Sequence, residues 1–377
     1  MSDPTALTRS PLLGLRGAVE ADGDDAGVAA HYGEPVREQR MLAAGDALVD
    51  LSHRAVLAVS GVDRLTWLDS LTSQRLTGLE PGDSAETLLL DPSGRIEHAA
   101  AVLDDGTTAW LVLERAEGPG LAAFLDRMRF MLRVEVADAT DRIAVLGAFG
   151  DRPELSTVVG APPLVWRDPW HEGAAGGATT ARGAHPGADW PFRLLLVPRA
   201  ELGAVAAAAR TGSVAVAGLL ALEALRVAAW RPRRAREADE RTIPQELDWL
   251  RSAVHLSKGC YRGQETVAKV YNLGRPPRRL VQLDLDGSDD VLPAAGDAVL
   301  AGDAVVGTIT TAARHHELGP VALAVVKRSV PAGEVLTVRA EGALVAAAQQ
   351  QVVPADGGPA VAVPRLPRLG QVTRSAS

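Results

Sequence analysis

The sequence predicts an α+β fold: one α+β unit that recurs, followed by a small antiparallel β-barrel or sandwich. Three observations carry that expectation. Short β-type runs alternate with amphipathic helices from Ala47 to Val136, and the alternation repeats loosely from Ile143 to Trp230. After Arg279 helical periodicity ends, and short strands alternate with Gly, Asp and Pro turns. At 377 residues the chain exceeds one ordinary core and has room for two or three domains.

Taken in order, residues 1–44 lack a sustained apolar period and read as a disordered N-terminal tail. The first domain is expected over residues 45–142. Within it, Ala55 to Val59 forms a β-type run closed by Ser60-Gly61, and Asp63 caps a helix with Leu65, Leu68 and Leu71 on one face. Leucines 88–90 lead through the turn Asp91-Pro92-Ser93-Gly94 into a strand from Arg95 to Leu103, which Asp104-Asp105-Gly106 returns to Ala109–Leu113. A helix near Leu121 to Met131 and a strand at Leu132 to Val136 complete it.

A second domain is expected over residues 143–275, with strands near Ile143–Leu146 and Phe192–Val197 and helices near Ala200–Ala209 and Val216–Trp230. Gly173 to Gly187 reads as a surface insertion held down by Trp166, Trp170 and Trp190, whereas Trp67 and Trp110 read as core. Residues 276–353 supply the barrel, with strands such as Leu280–Leu283, Val305–Ile309 and Val321–Val326. Residues 354–377, rich in Pro and Gly, read as a second disordered tail.

Composition narrows the function. Net charge of -8 argues against general nucleic-acid binding, which needs a concentrated positive face. No apolar run reaches the roughly 18 residues of a membrane span and no signal core opens the chain, so a cytoplasmic protein without direct membrane or nucleic-acid partners is expected. The single cysteine, Cys260, excludes an internal disulfide and any metal site built from several thiolates of one chain. His315-His316 before Glu317 has no recognisable third ligand, so no metal is assigned.

The strongest internal signal is the clustering of scarce residues. Lysine occurs only at Lys258, Lys269 and Lys327, tyrosine only at Tyr32, Tyr261 and Tyr271, and residues 258–271 hold two of each with Cys260. In a chain that writes arginine almost everywhere, lysine at 258 reads as a need for a compact ammonium with a movable pKa. Positive charge from Lys258 and Arg262 favours thiolate at Cys260, and Gly259 and Gly263 let the backbone approach a ligand. The alternative is a tight turn with a small buried cysteine.

The segment Lys258-Gly259-Cys260-Tyr261-Arg262-Gly263-Gln264-Glu265 resembles the signature of the YgfZ-type branch of folate-binding, aminomethyltransferase-like proteins. Asp50-Leu51-Ser52-His53, Val59 to Arg64, Leu90 to Ile96 and Ile243-Pro244-Gln245-Glu246 agree with it in the family's order. The resemblance implies two interleaved α+β domains and a C-terminal β-barrel around a central hole for tetrahydrofolate. It also implies an accessory role toward iron–sulfur proteins, including those that modify tRNA. It assigns chemistry to Cys260 and Lys258, and folate contacts to Arg226, Tyr261, Gln264, Glu265 and Arg278.

Two departures stand out. Where aminomethyltransferases carry a catalytic aspartate after the turn glycine, this strand reads Arg95-Ile96-Glu97-His98. Where relatives carry Arg-x-Glu-Ala-Gly, whose carboxylate pairs with the pterin, this chain reads Arg226-Val227-Ala228-Ala229-Trp230. Besides the accessory role, two readings stay open: a tetrahydrofolate-dependent transferase using Glu97 or His98, and a scaffold acting by protein binding alone. The run Arg231 to Arg236 is either an anion receptor or a solvated basic loop. Arg275, Arg278 and Arg279 form a second anion candidate.

Overall fold

The structure, a computed structural model, describes residues 9–150, 153–160, 162–273, 275–288 and 290–355. Two five-stranded sheets face each other, and a six-stranded barrel closes one side. The first sheet is antiparallel, in the order Ser84–Leu90, Ile96–Asp104, Thr108–Leu113, Ala55–Ser60, Glu135–Asp138. Its strands alternate between two buried faces. Leu57, Val59 and Leu111 meet the outer helices Arg64–Leu71 and Gly118–Met128 through Trp67, Leu68, Leu121 and Leu125, while Val56, Leu88 and Val112 face the centre.

The second sheet runs Leu164–Arg167, Phe192–Pro198, Ile143–Phe149, Ala47–Asp50, Ala215–Ala217, and only the last strand joins in parallel. Ala47–Asp50 pairs with Ile143–Phe149, so the whole first sheet is inserted between two adjacent strands of the second. That crossing is the interleaving. Residues 47–50 therefore sit in the second sheet, although sequence order groups them with the first domain. The helix Leu202–Thr211 covers the outer face, and Leu219–Ala228 packs between the helix Pro35–Ala43, the strand Ala47–Asp50 and the barrel strands Ala304–His315 and Gly319–Lys327.

The barrel closes in the order Arg278–Leu285, Gly319–Lys327, Ala304–His315, Ala298–Ala301, Leu336–Ala340, Ala343–Gln351 and back to the first strand. Val281, Leu283, Val299, Val326 and Val338 fill it, while Leu280, Val321 and Leu323 on its other face join the central core.

Residues 9–44 depart from the expected tail. Val19–Glu20 pairs with Ala29–His31, Pro35–Ala43 is helical, and Leu12, Val28 and Leu42 are buried. These elements are too short to hold alone, and their stability comes from distant partners. Glu38 accepts hydrogen bonds from the Tyr32 and Gly218 amides, and Gln39 joins the Arg314 carbonyl and the His316 amide of the barrel. Of the expected C-terminal tail, residues 356–377 lie outside the described residues. Two further differences are local. Leu164–Arg167 is an additional strand, and the segment expected to be helical from Val216 opens with the strand Ala215–Ala217 before the helix begins at Leu219.

Candidate functional site

The octapeptide forms a loop and the first turn of the helix Gln264–Leu273, and it is fastened at both ends. At one end Lys258, buried, donates from Nζ to the carbonyl of Asp69 and to those of Thr72 (2.8 Å) and Gln74 (2.9 Å), with Asp69 Oδ2 at 3.4 Å. These carbonyls end the helix Arg64–Leu71 and the turn after it. Three protons on one compact tetrahedral nitrogen meet three carbonyls that converge on a single point, a pocket shaped for an ammonium rather than for the broader planar guanidinium. Burial lowers the pKa of Lys258, and Asp69 opposes it. Lysine here clamps the loop.

At the other end Gly263 adopts φ 82°, and a side chain there would place its first carbon 2.6 Å from the Asp91 carbonyl oxygen and 3.0 Å from Gly94 Cα. Gly94, φ 79°, is reciprocal: its added carbon would meet Thr266 Cβ at 2.8 Å. The signature and the Asp91 to Gly94 turn thus touch backbone to backbone. Gly259 has open space around it, whereas at Gly263 the close approach is toward protein. Between the fastenings Cys260 is exposed as a free thiol.

The remaining signature residues divide. Tyr261 is buried under Lys258, whose Nζ lies 5.4 Å from the ring centroid, and burial pushes its hydroxyl up to about 12. Arg262 pairs with Glu97 at 2.6 Å, Gln264 Nε2 reaches the Lys258 carbonyl at 3.4 Å, and Glu265 is exposed. Arg278, expected to meet an anion, forks Asp239 and Glu246 at 2.6 and 2.8 Å. Arg279 is buried in the barrel against the Val330 carbonyl and Gln349.

The centre of the molecule holds a second constellation. Arg231 and Arg233 point inward, so the run Arg231 to Arg236 is neither a solvated loop nor an open anion receptor. Arg231 pairs with Asp168 (2.9 Å) and Glu86 (2.6 Å), and Arg233 with Glu114 (2.8 Å) and Asp25. Arg226 pairs with Glu223 and Glu237, both at 2.8 Å, and reaches Thr311 of the barrel. Burial pushes the Asp25 carboxyl up, but His53 and Arg233 outweigh it and hold it well below the usual carboxylate range. Burial raises Glu86 against the pull of Arg231. Buried charges persist only when paired in this way. Sequence reading missed this network, and its only trace was Trp230 and Pro232 interrupting a basic run.

Of these groups Glu86, Glu114, Asp168, Glu223 and the three arginines line a cavity of about 140 Å³ whose apolar walls include Trp166, Trp190, Phe192, Leu222 and Trp249. Tyr261, Gln264, Glu265 and Arg278 do not line it; of the expected folate contacts only Arg226 does. Trp166, Trp170 and Trp190, which flank the insertion, belong to this core; of the three Trp170 also packs the insertion, its ring 5.3 Å from that of His185, and Asp248 and the carbonyls of Leu250 and Arg251 hold it as well. Trp67 is core, and Trp110 is half-buried with its N–H on Asp105. His315 and His316 stack at 4.6 Å.

Comparison with known proteins places this architecture. Residues 278–356 match the glycine cleavage T-protein C-terminal barrel domain. Aminomethyltransferase T of Bartonella henselae superposes over 94% of this chain and 99% of its own, with a TM-score of 0.73 and 19% identity. The chain has the glycine cleavage T-protein fold. In sequence it is 24% identical over 279 residues to a chloroplastic protein of Arabidopsis thaliana named as a transferase, covering 71% of this chain and 62% of that one. It is 26% identical to the aminomethyltransferase of Streptomyces coelicolor (78% and 82% covered). Identity is also 26% to a mitochondrial iron–sulfur cluster assembly factor IBA57 homolog of Mycosarcoma maydis (63% and 56% covered).

Within the T-protein fold, the central hole of this chain is largely filled. Five of its seven tryptophans, Trp166, Trp170, Trp190, Trp230 and Trp249, converge on the core there. The space left is below the about 300–1,000 Å³ usual for pockets that enclose an organic ligand. Trp230 stands at φ 57°, donates to Gln282 Oε1 at 2.6 Å and meets the His185 ring edge-on. The lining carboxylates Glu86, Asp168 and Glu223 already accept from arginine, and position 228 is apolar. The walls suit a flat ring, but the polar groups do not fit tetrahydrofolate as the resemblance places it. No step is routed through it.

Proposed function

We propose that this protein is a YgfZ-type accessory factor for the assembly or maintenance of iron–sulfur proteins, tRNA-modifying enzymes among them, acting through the exposed Cys260 thiol. The observation that carries this reading is a single thiol held outward on a loop fastened by Lys258 on one side and Gly263 on the other. One cysteine supplies one ligand, so a cluster handled here is cargo whose other ligands belong to the client. The similarity to a named iron–sulfur cluster assembly factor supports the same assignment.

Classical transfer chemistry is less well supported, because Glu97, at the position of the transferase aspartate, is paired with Arg262. Pairing ties up that acid and leaves His98 of the same strand as the remaining candidate. The test is replacement of the native protein in cells by Cys260→Ser. Activities of iron–sulfur enzymes, including those that modify tRNA, should fall while the amount of variant protein is unchanged. Wild-type activities in that strain would refute the assignment.

A further inference from the structure

Beside the signature loop lies a second cavity, of about 610 Å³, which the central site does not use. Its floor is one face of the helix Gly118–Met128, where Gly120, Phe124 and Arg127 recur at helical spacing. The strand Ile96–Asp104 and the turn before it form the facing wall, with Arg95 and His98. Gly120 permits the approach of that wall, since a first side-chain carbon there would lie 3.4 Å from His98 Cε1. Arg262 closes the rim with its guanidinium 5.7 Å from the Phe124 ring centroid.

The charges of this pocket do not cancel locally. Arg262 is matched by Glu97 at 2.6 Å and Arg234 by Glu117 at 2.8 Å. Of the other acids, Asp91 Oδ1 accepts the Arg95 amide at 2.8 Å and Glu240 faces Arg241 at 3.5 Å. Arg95 and Arg127 have no side-chain partner among the described residues and are exposed at the pocket. His98 Nδ1 is buried without a hydrogen-bond partner. Burial and then Arg234 hold the His98 ring down to about 4, so at neutral pH it offers a neutral donor or acceptor.

Two guanidinium groups without a side-chain partner among the described residues and one aromatic ring line the same pocket, and together they select one kind of ligand. We propose that this pocket binds a small aromatic oxyanion, its ring against Phe124 and its phosphate or carboxylate held by Arg95 and Arg127. Guanidinium suits both anions because its paired N–H groups match two oxygens of either. Arg262 is two residues from Cys260, about 7 Å of chain at most. Cys260 itself does not line the pocket, and the proposal stands whether or not that thiol acts on iron–sulfur proteins.

Ligand-observed NMR titration of the full chain with phenyl phosphate, benzoate and inorganic phosphate tests it. Phenyl phosphate or benzoate should bind at least tenfold tighter than inorganic phosphate, and whichever of the two binds tighter names the anion. The double variant Arg95→Gln, Arg127→Gln should weaken that ligand at least tenfold with an unchanged melting temperature, since both side chains are exposed. Equal binding of all three anions, binding unchanged in the double variant, or no binding at all would overturn the proposal.

Discussion

At Lys258 three backbone carbonyls surround one ammonium, and this explains a puzzle of composition. The sequence reading took scarce lysine as a demand for a movable pKa, whereas the structure gives it a geometric cause. Lys258→Arg should lower stability by about 1–3 kcal/mol in urea unfolding, because the larger planar fork overfills a buried pocket shaped round one nitrogen. Cys260→Ser should stay within about 0.5 kcal/mol, as an exposed thiol outside any network should. A Lys258→Arg protein as stable as wild type would remove the clamp. The loop proposed here as functional stands out at this scale, because rare residues gather there. The division of labour within it does not, since one sequence cannot show which neighbour points inward.

At the scale of elements, the segment from Arg231 to Arg236 ties the N-terminal residues to both sheets. Arg233 holds Asp25 and Glu114, and Arg236 also reaches Asp25. Arg233→Met should cost about 1–3 kcal/mol, because it removes one charged partner from each of two buried carboxylates, Asp25 keeping Arg236 and His53 and Glu114 keeping Arg54. It should also expose the chain near Asp22 to Ala26 to limited proteolysis before global unfolding. Cleavage no faster than in wild type would show that the arginine is not what secures this segment. The helices Arg64–Leu71, Gly118–Met128, Leu202–Thr211 and Leu219–Ala228 and many strands were readable from periodicity, since each carries its own apolar face, whereas Gln264–Leu273 was not assigned. The folded state of residues 9–44 was not readable, because Asp25, Glu38 and Gln39 find partners 180 to 277 positions away. The sequence marks no such pairing.

For the whole molecule, the T-protein architecture is retained while its centre is packed with indoles and ion pairs. Calorimetric titration with tetrahydrofolate should therefore show no saturable heat at micromolar concentration, and a tight one-site isotherm would contradict the filled centre. The three-part architecture was foreseeable because the loss of helical period after Arg279 marks the barrel. The filling was not, as tryptophans scattered from 166 to 249 converge only in three dimensions.

The contact between Gly94 and Gly263 reaches beyond stability. Two positions 169 residues apart form one steric unit, so each constrains what mutation can do at the other. A natural variant that acquires a side chain at either would have to move the signature off its turn. In related sequences the two glycines should be kept or lost together, and Gly259, with open space around it, should drift independently.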